Sequence, residues 1–394
     1  MSNINKNKVV LQRIEEAIGR IENKESEFFF FVPDSRNNPN GGLSYVYNMA
    51  MTIHNMGHKV TMLYQTPNEY SQEELDELTT QGKPYDTNRV FIGVRDWMGD
   101  AYADLPHLNI AKEEWKVSPA DFLFIPEAFS SLMFETFKNG IPCKRYVILQ
   151  NFNYLTEFIP LGVEWANYGI ADVIASTDVQ ANRVKSVFPY VRTTIIPPVI
   201  PAYFRKPILP KKLVVSVIAS SKSDVNRMIK TFYWKYPKFK FITFDDLRGY
   251  PRDAYAERLK ESAITLWVDE KTSFGYGALE AMKCGNLVIG KLTEDVQQWM
   301  TKDGKLTDNV IWFQNLDDVP KLLNSVLISW MLDEVPTEIK NAIDETSKMY
   351  TEEEWTSNVT NFVEGIKTER IREFKSAESI AKSKINEEKN REKK

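Results

Sequence analysis

The chain has 394 residues, 43% of them hydrophobic and 26% charged, with a formal net charge of −4 at pH 7 and only two cysteines, Cys143 and Cys284. This excludes a disulfide scaffold and an intrinsically disordered chain, and leaves room for two or three domains with cores of their own. The small negative charge argues against whole-protein attraction to nucleic acid or anionic lipid; the polar start and the lack of an apolar run near the ~18 residues of a membrane span predict a soluble, cytoplasmic protein without a secretory leader.

Residues 1–26 read as a polar extension. The run Glu27 to Val32 (EFFFFV) is continuous rather than alternating, as suits a strand buried on both faces. A polar loop from Asp34 to Gly42 leads into a helix in which Leu43, Val46, Met49, Ala50 and Ile53 recur with helical period. Gly57 ends that helix, and HKVTMLY returns as a strand. Further strands are expected at Val90–Ile92, Asp121–Pro126, Tyr146–Leu149, Asp172–Ser176 and Thr193–Ile196. The stretch Pro197 to Pro210 is Pro-rich and turn-like, which places a linker at 201–212 between a first domain over 27–200 and a second over 213–350.

In the second block LVVSVIAS, FKFITF, AITLWVD, NLVIGK and NVIWF read as strands, separated by helices that include SDVNRMIKTFYWKY, DAYAERLKES and GALEAMKCG, with a last helix from Val319 to Leu332. Alternation of this kind predicts parallel sheets covered by helices on both faces. Thr351, with Glu354 three residues on, forms a capping box for a helix over 351–366. Trp355, Val359, Phe362 and Val363 share one of its faces, so it docks on something. Residues 367–394 form a charged helical or disordered tail with ten Lys and Arg against six Glu, leaving the remainder near −8.

Chemistry concentrates in Ser273–Gly290 (SFGYGALEAMKCGNLVIG). A strand ends near Asp269, the backbone turns through Gly275 and Gly277, and a helix carries Glu280. Glycines at a helix entrance permit close backbone approach, and the free N–H groups there suit an anion such as a diphosphate. Glu280, about one turn in, is placed to accept hydrogen bonds from vicinal ribose hydroxyls; a plain helix with a surface Glu is the alternative. Glu127, just past DFLFIP, falls at the carboxyl-end rim where α/β ligands bind; it either faces a substrate or caps the next helix. Trp97, Trp115, Tyr154, Trp165 and Tyr168 offer aromatic faces to a sugar or base, or fill the core. No metal site is expected of the three histidines, His54, His58 and His107. Asp245-Asp246 and Asp317-Asp318 are adjacent pairs that point apart on a strand, so metal independence is expected.

The Ser273–Gly290 string closely resembles the donor-site signature of GT-B glycosyltransferases of the retaining family 4 type, in which an acid, seven intervening residues and a Glu lead into A-M-x-x-G. Glu280, Ala281, Met282 and Gly285 match its second half. The acidic position falls on Thr272, with Glu270 two residues earlier. GGLSYVYNMAMTIHNMGHKV resembles the family's first β-loop-α-β unit, with His58 at its structural end. The Trp355 helix resembles the family's last helix, which crosses back to brace the amino-terminal domain. The resemblance runs from about residue 27 to 365.

It implies two Rossmann-like α/β domains facing across a cleft, the first for the acceptor and the second for the donor, with a C-terminal helical extension. The implied donor is a nucleotide-diphosphate sugar, a substrate, with no cofactor. Gly41, Gly42, Thr272, Phe274, Gly275, Tyr276, Gly277 and Glu280 would bind it, Glu280 through the ribose, with the base near Phe244 to Leu247. The family's diphosphate cations correspond to Lys222 and Arg227 in ASSKSDVNR; a cation is needed because charge develops on the leaving diphosphate. Where many relatives carry a histidine near the sugar, YVILQNFNY offers Gln150 and Asn151. Lys222, Arg227 and Asn151 thus form the expected catalytic set and Glu127 the acceptor-side candidate. The leaving phosphate oxygen is then expected to take the acceptor's proton.

The resulting expectation is a retaining, metal-independent glycosyltransferase whose acceptor is a glycan, a lipid-linked saccharide or a modified DNA base. Viral DNA-modifying glucosyltransferases share the architecture, and the basic tail fits the last of these. The rival of another class is a nucleotide-binding scaffold without turnover, motivated by Thr272 and the missing histidine. A sugar-nucleotide 2-epimerase is a third reading, although the acids and histidines it would require are scarce here.

Overall fold

The computed structural model describes residues 3–33, 41–86, 89, 98–269 and 272–391. The expected strand at Val90–Ile92, Trp97, Glu270 and most of the loop after Pro33 lie outside the described residues. Among those described, β1 (Glu27–Phe31), β2 (Lys59–Tyr64), β3 (His107–Asn109), β4 (Phe122–Pro126), β5 (Lys144–Leu149), β6 (Asp172–Ala175) and β7 (Arg192–Ile195) form one sheet in the order β3-β2-β1-β4-β5-β6-β7. A second sheet joins β8 (Lys212–Ile218), β9 (Thr243–Asp246), β10 (Ser262–Trp267), β11 (Leu287–Lys291) and β14 (Ile311–Phe313) in the order β14-β11-β10-β8-β9. A small ribbon of β12 (Thr301–Lys302) and β13 (Lys305–Leu306) precedes β14. All pairings in both sheets are parallel.

The phenylalanine run explains itself in the first sheet. Phe28 and Phe30 point to one face, among Leu43, Val46 and Met49 of the helix Gly41–Asn55, while Phe29 and Phe31 point to the other, among Leu132, Met133 and Trp165. Both faces are dry, so no polar alternation is needed. β3 had no counterpart in the sequence reading. It is three residues long and exists by pairing with β2, Met62 opposite His107. The strand expected at FKFITF starts later, at Thr243, because Pro237–Phe239 form a 3-10 turn that buries Phe239 instead.

The capping box at Thr351 forms in both directions: Glu354 N–H donates to Thr351 Oγ1 at 3.2 Å, and Thr351 N–H to Glu354 Oε2 at 3.1 Å. The helix it opens runs from Glu352 to Arg391. Trp355, Val359, Phe362 and Val363 are buried among Leu43, Tyr45 and Tyr146 of the first domain, and the Trp355 indole donates to Thr52 Oγ1 at 2.8 Å. Each such side chain contributes ~1.5–3 kcal/mol by leaving water, which fixes this helix as the strap between the domains. The charged tail continues the same helix. It pairs antiparallel with the amino-terminal helix Asn3–Glu22: Ala17 and Ile21 pack with Ile371 and Phe374, and Asn7 Nδ2 donates to Glu388 at 3.4 Å.

Candidate functional site

The carboxyl ends of the two sheets face each other, and several contacts among the described residues join them. The Tyr276 ring lies on Gly41, so closely that a Cβ at position 41 would stand 2.6 Å from Tyr276 Cδ2. The Ser273 hydroxyl donates to the Gln150 carbonyl at 2.5 Å. Gln180 Nε2 donates to Asp295 Oδ2 at 2.7 Å, and Arg183 pairs with the same carboxylate at 2.6 Å. Gly41 and Gly42 are not in a loop, as expected, but form the first turn of the helix Gly41–Asn55.

On the second domain, Gly275 is the entrance to the helix Tyr276–Lys283. It sits at φ +84°, where a Cβ would meet Trp299 at 2.7 Å, so only glycine fits. Thr272 Oγ1 accepts from Gly275 N at 3.1 Å and tightens the turn. Gly277 allows the helix to seat on Ile218 of β8. Phe274 points away from the cleft into the core, between Tyr276 and Tyr350.

Glu280 is 1% exposed and does not stand alone. Its Oε1 accepts from Arg252 Nη2 at 2.6 Å, and the buried Tyr255 hydroxyl, raised in pKa first by burial and then by the Glu280 charge, lies close by. The Arg252 guanidinium lies 5.0 Å from the Phe204 ring and 5.6 Å from that of Tyr255. The Tyr276 hydroxyl, one helical turn before Glu280, is buried and without a partner among the described residues. Arg252 was missed by the sequence reading. Its one visible signal is an oddity: a cation opening the helix Arg252–Glu261, where the helix dipole favours acids.

The expected cations are placed differently. Lys222 opens the helix Lys222–Lys235, capped by Ser221, and is exposed beside Asp246. Arg227 is exposed farther along that helix. Neither is brought to Glu280. Phe244 packs on Phe232 and Tyr233 rather than standing free for a base.

On the first domain, Glu127 is buried, and its Oε1 accepts from the Gln150 N–H at 3.1 Å and the Asn151 N–H at 2.7 Å. It braces the loop after β5 and does not cap the next helix, whose N-cap is Phe129. Burial pushes its carboxyl up to about 7, with the backbone N–H groups opposing. Asn151 Oδ1 accepts from Asn153 N at 3.1 Å and caps the helix Phe152–Phe158. Of the aromatic candidates, Trp115, Trp165 and Tyr168 belong to the core, and Tyr154 remains exposed near Glu127. His58 packs 5.0 Å from Phe28, and burial lowers its pKa to about 4.

Two parallel-sheet domains with facing carboxyl ends, strapped by a helix that crosses back, define the GT-B glycosyltransferase fold. No family model matches the chain. Over 86% of its length it superposes on sucrose-phosphate synthase from Thermosynechococcus elongatus, covering 99% of that chain at 11% identity with a TM-score of 0.55. It superposes equally widely, over 86% of its length, on the pneumococcal O-GlcNAc transferase GtfA, solved with UDP and GlcNAc, covering 99% of that chain at 10% identity and a TM-score of 0.57. An alpha-1,6-glucosyltransferase of Actinobacillus pleuropneumoniae is 23% identical over 194 residues, which are 48% of this chain and 58% of that protein. The chain thus spans little more than half of that curated relative, and at these identities the likeness is one of fold.

Proposed function

We propose that the protein is a glycosyltransferase that moves a sugar from a nucleotide-diphosphate donor to a hydroxyl. The observation that carries this reading is the position of Glu280, one turn inside a helix that opens on the left-handed Gly275 at the carboxyl edge of the second sheet, against Gly41 of the first. Free N–H groups at such a helix start receive a diphosphate, and a carboxylate at this depth receives ribose hydroxyls. The acceptor approaches from the side of Gly41, Glu127 and Asn151. In the reaction the bond from the sugar's anomeric carbon to the phosphate oxygen breaks, a bond to the acceptor oxygen forms, and the acceptor's proton passes to the leaving phosphate. Retention of configuration and independence of metal belong to the same proposal.

UDP in the pneumococcal transferase supports a nucleoside diphosphate as the leaving group. Within the basic tail, Lys367, Arg370 and Lys382 pair with Glu364, Glu373 and Glu378 of their own helix, which leaves fewer free cations for a DNA acceptor. Among the described residues no helix is long and apolar enough to cross a membrane. The test is a thermal-shift panel of UDP, GDP, ADP, CMP and dTDP with and without EDTA, on wild type and Glu280→Ala. A ligand at ~100 times its dissociation constant adds ~2.7 kcal/mol to native stability. One nucleotide that stabilises wild type, ignores EDTA and loses its effect in the variant is expected; silence across the panel refutes the Glu280 assignment.

A further inference from the structure

Arg252 and Glu280 form a buried ion pair at the place where the donor reading puts the ribose. We propose that this pair is an exchange site: Arg252 yields the Glu280 carboxylate to the ribose of a nucleoside diphosphate and takes the diphosphate itself. The proposal rests on the donor reading above and assigns the diphosphate cation to Arg252 instead of Lys222 or Arg227.

Three observations lead there. First, the Arg252 side chain is only 16% exposed and Glu280 1%, with 2.6 Å between Nη2 and Oε1. A buried pair of this kind is a weak source of stability, because desolvation offsets most of the attraction. Arg252 also opens its helix, where the dipole disfavours a cation. Second, the Tyr276 hydroxyl is buried, unpartnered among the described residues, and within electrostatic reach of both Glu280 and Arg252. It is a hydrogen-bond donor suited to a ligand oxygen. Third, Lys222 and Arg227 are exposed, whereas Arg252 is desolvated between two aromatic rings, where a charge acts more strongly.

The chemistry then follows from capacity. The Glu280 carboxylate already accepts from the guanidinium through Oε1, so a vicinal diol that engages both carboxylate oxygens competes with Arg252 for that atom. A displaced guanidinium stays charged, and its planar fork matches phosphate oxygens. A nucleoside without phosphates would free Arg252 and leave it unpaired in a dry site. A nucleoside diphosphate supplies the counter-ion. Removing Arg252 therefore acts in opposite directions on the two ligands, which a purely structural residue would not do.

Calorimetric titration of wild type, Arg252→Gln and Arg252→Lys with UDP, GDP and ADP and with uridine, guanosine and adenosine tests this, comparing the base that binds wild type. In Arg252→Gln the diphosphate is expected to bind ~10- to 100-fold more weakly, the scale of a lost charge-assisted contact, while the nucleoside binds as well as before or several-fold more tightly. Arg252→Lys keeps the charge without the fork. It is expected to fall between, and it carries the test if the Gln variant does not fold. Parallel losses for both ligands, or no change for either, overturn the exchange and leave the donor reading intact. If no nucleotide binds wild type, the donor reading falls and the exchange with it.

Discussion

Gly41 offers the sharpest test of how the two domains meet. A Cβ at this position falls 2.6 Å from Tyr276 Cδ2 and 3.0 Å from Cε2, whereas carbon atoms rest at ~3.5–4.0 Å. In Gly41→Ala the ring must therefore withdraw by about 1 Å, and Phe274, with its centroid 4.9 Å from that of Tyr276, packs against it. Two terms of opposite sign result. Overpacking costs ~1–3 kcal/mol and falls on the apposition of the domains. Replacing a helical glycine with alanine returns up to ~1 kcal/mol, and this falls on the first domain alone. Urea melts of Gly41→Ala should accordingly show a midpoint equal to or slightly above wild type, while the donor nucleotide binds ~5- to 150-fold more weakly, the equivalent of 1–3 kcal/mol. The control is a double-mutant cycle with Tyr276→Ala, in which the alanine at 41 costs nothing further. Wild-type affinity in Gly41→Ala, or a loss that simply adds to that of Tyr276→Ala, refutes the steric argument.

Gly275→Ala combines a left-handed backbone at φ +84° with a Cβ 2.7 Å from Trp299; ~2 kcal/mol or more of stability should be lost, with a change in tryptophan fluorescence, since Trp267 lies 3.2 Å from the same point. The Glu127 carboxyl has an ordinary pKa of 4.5 and is held at about 7 by burial. Between those values the folded state binds the extra proton, so this group favours folding most below pH 4.5 and loses up to ~3 kcal/mol as pH rises through 7. Glu127→Gln should flatten that slope in urea melts at pH 5 and 7.5, and an unchanged slope assigns it to another group. Trp355→Ala removes a buried ring and its bond to Thr52; calorimetry should show ~3–5 kcal/mol of lost stability, and a loss under ~1 kcal/mol would mean that the strap is not anchored there.

The sheets were readable because their signals are local. Phe28 to Phe31 announces a strand buried on both faces, and Thr351 with Glu354 marks its helix start without help from the rest of the fold. β3 was invisible because His107, Leu108 and Asn109 carry no period; their strand exists through Met62, Leu63 and Tyr64, more than forty residues earlier. The amino-terminal helix did carry a signal, Ile14, Ala17 and Ile21 at helical spacing, but its partner, Ile371 and Phe374, lies at the other end of the chain. The cleft divides in the same way. Gly275, Gly277 and Glu280 were legible in one string. Arg252 was not, since its partner is a carboxylate 28 residues later; Lys222 and Arg227 were read from the resemblance of ASSKSDVNR, a string that carries no sign of their exposure.

The same contacts show why the facing walls of the two domains are not independent. Glu127 holds the N–H groups of Gln150 and Asn151. The Gln150 carbonyl accepts from Ser273, and the Ser273 carbonyl accepts from Gln297 Nε2 at 2.5 Å. Ser273 lies two residues before the Gly275 turn on which the Glu280 helix depends. A carboxylate on the first domain is thereby linked, through one loop and one hydroxyl, to the entrance of the helix Tyr276–Lys283 on the second. Glu127 reaches that entrance through backbone groups alone, so its influence on transfer would be exerted on the shape of the Gly275 turn, and it needs no contact with either substrate to matter.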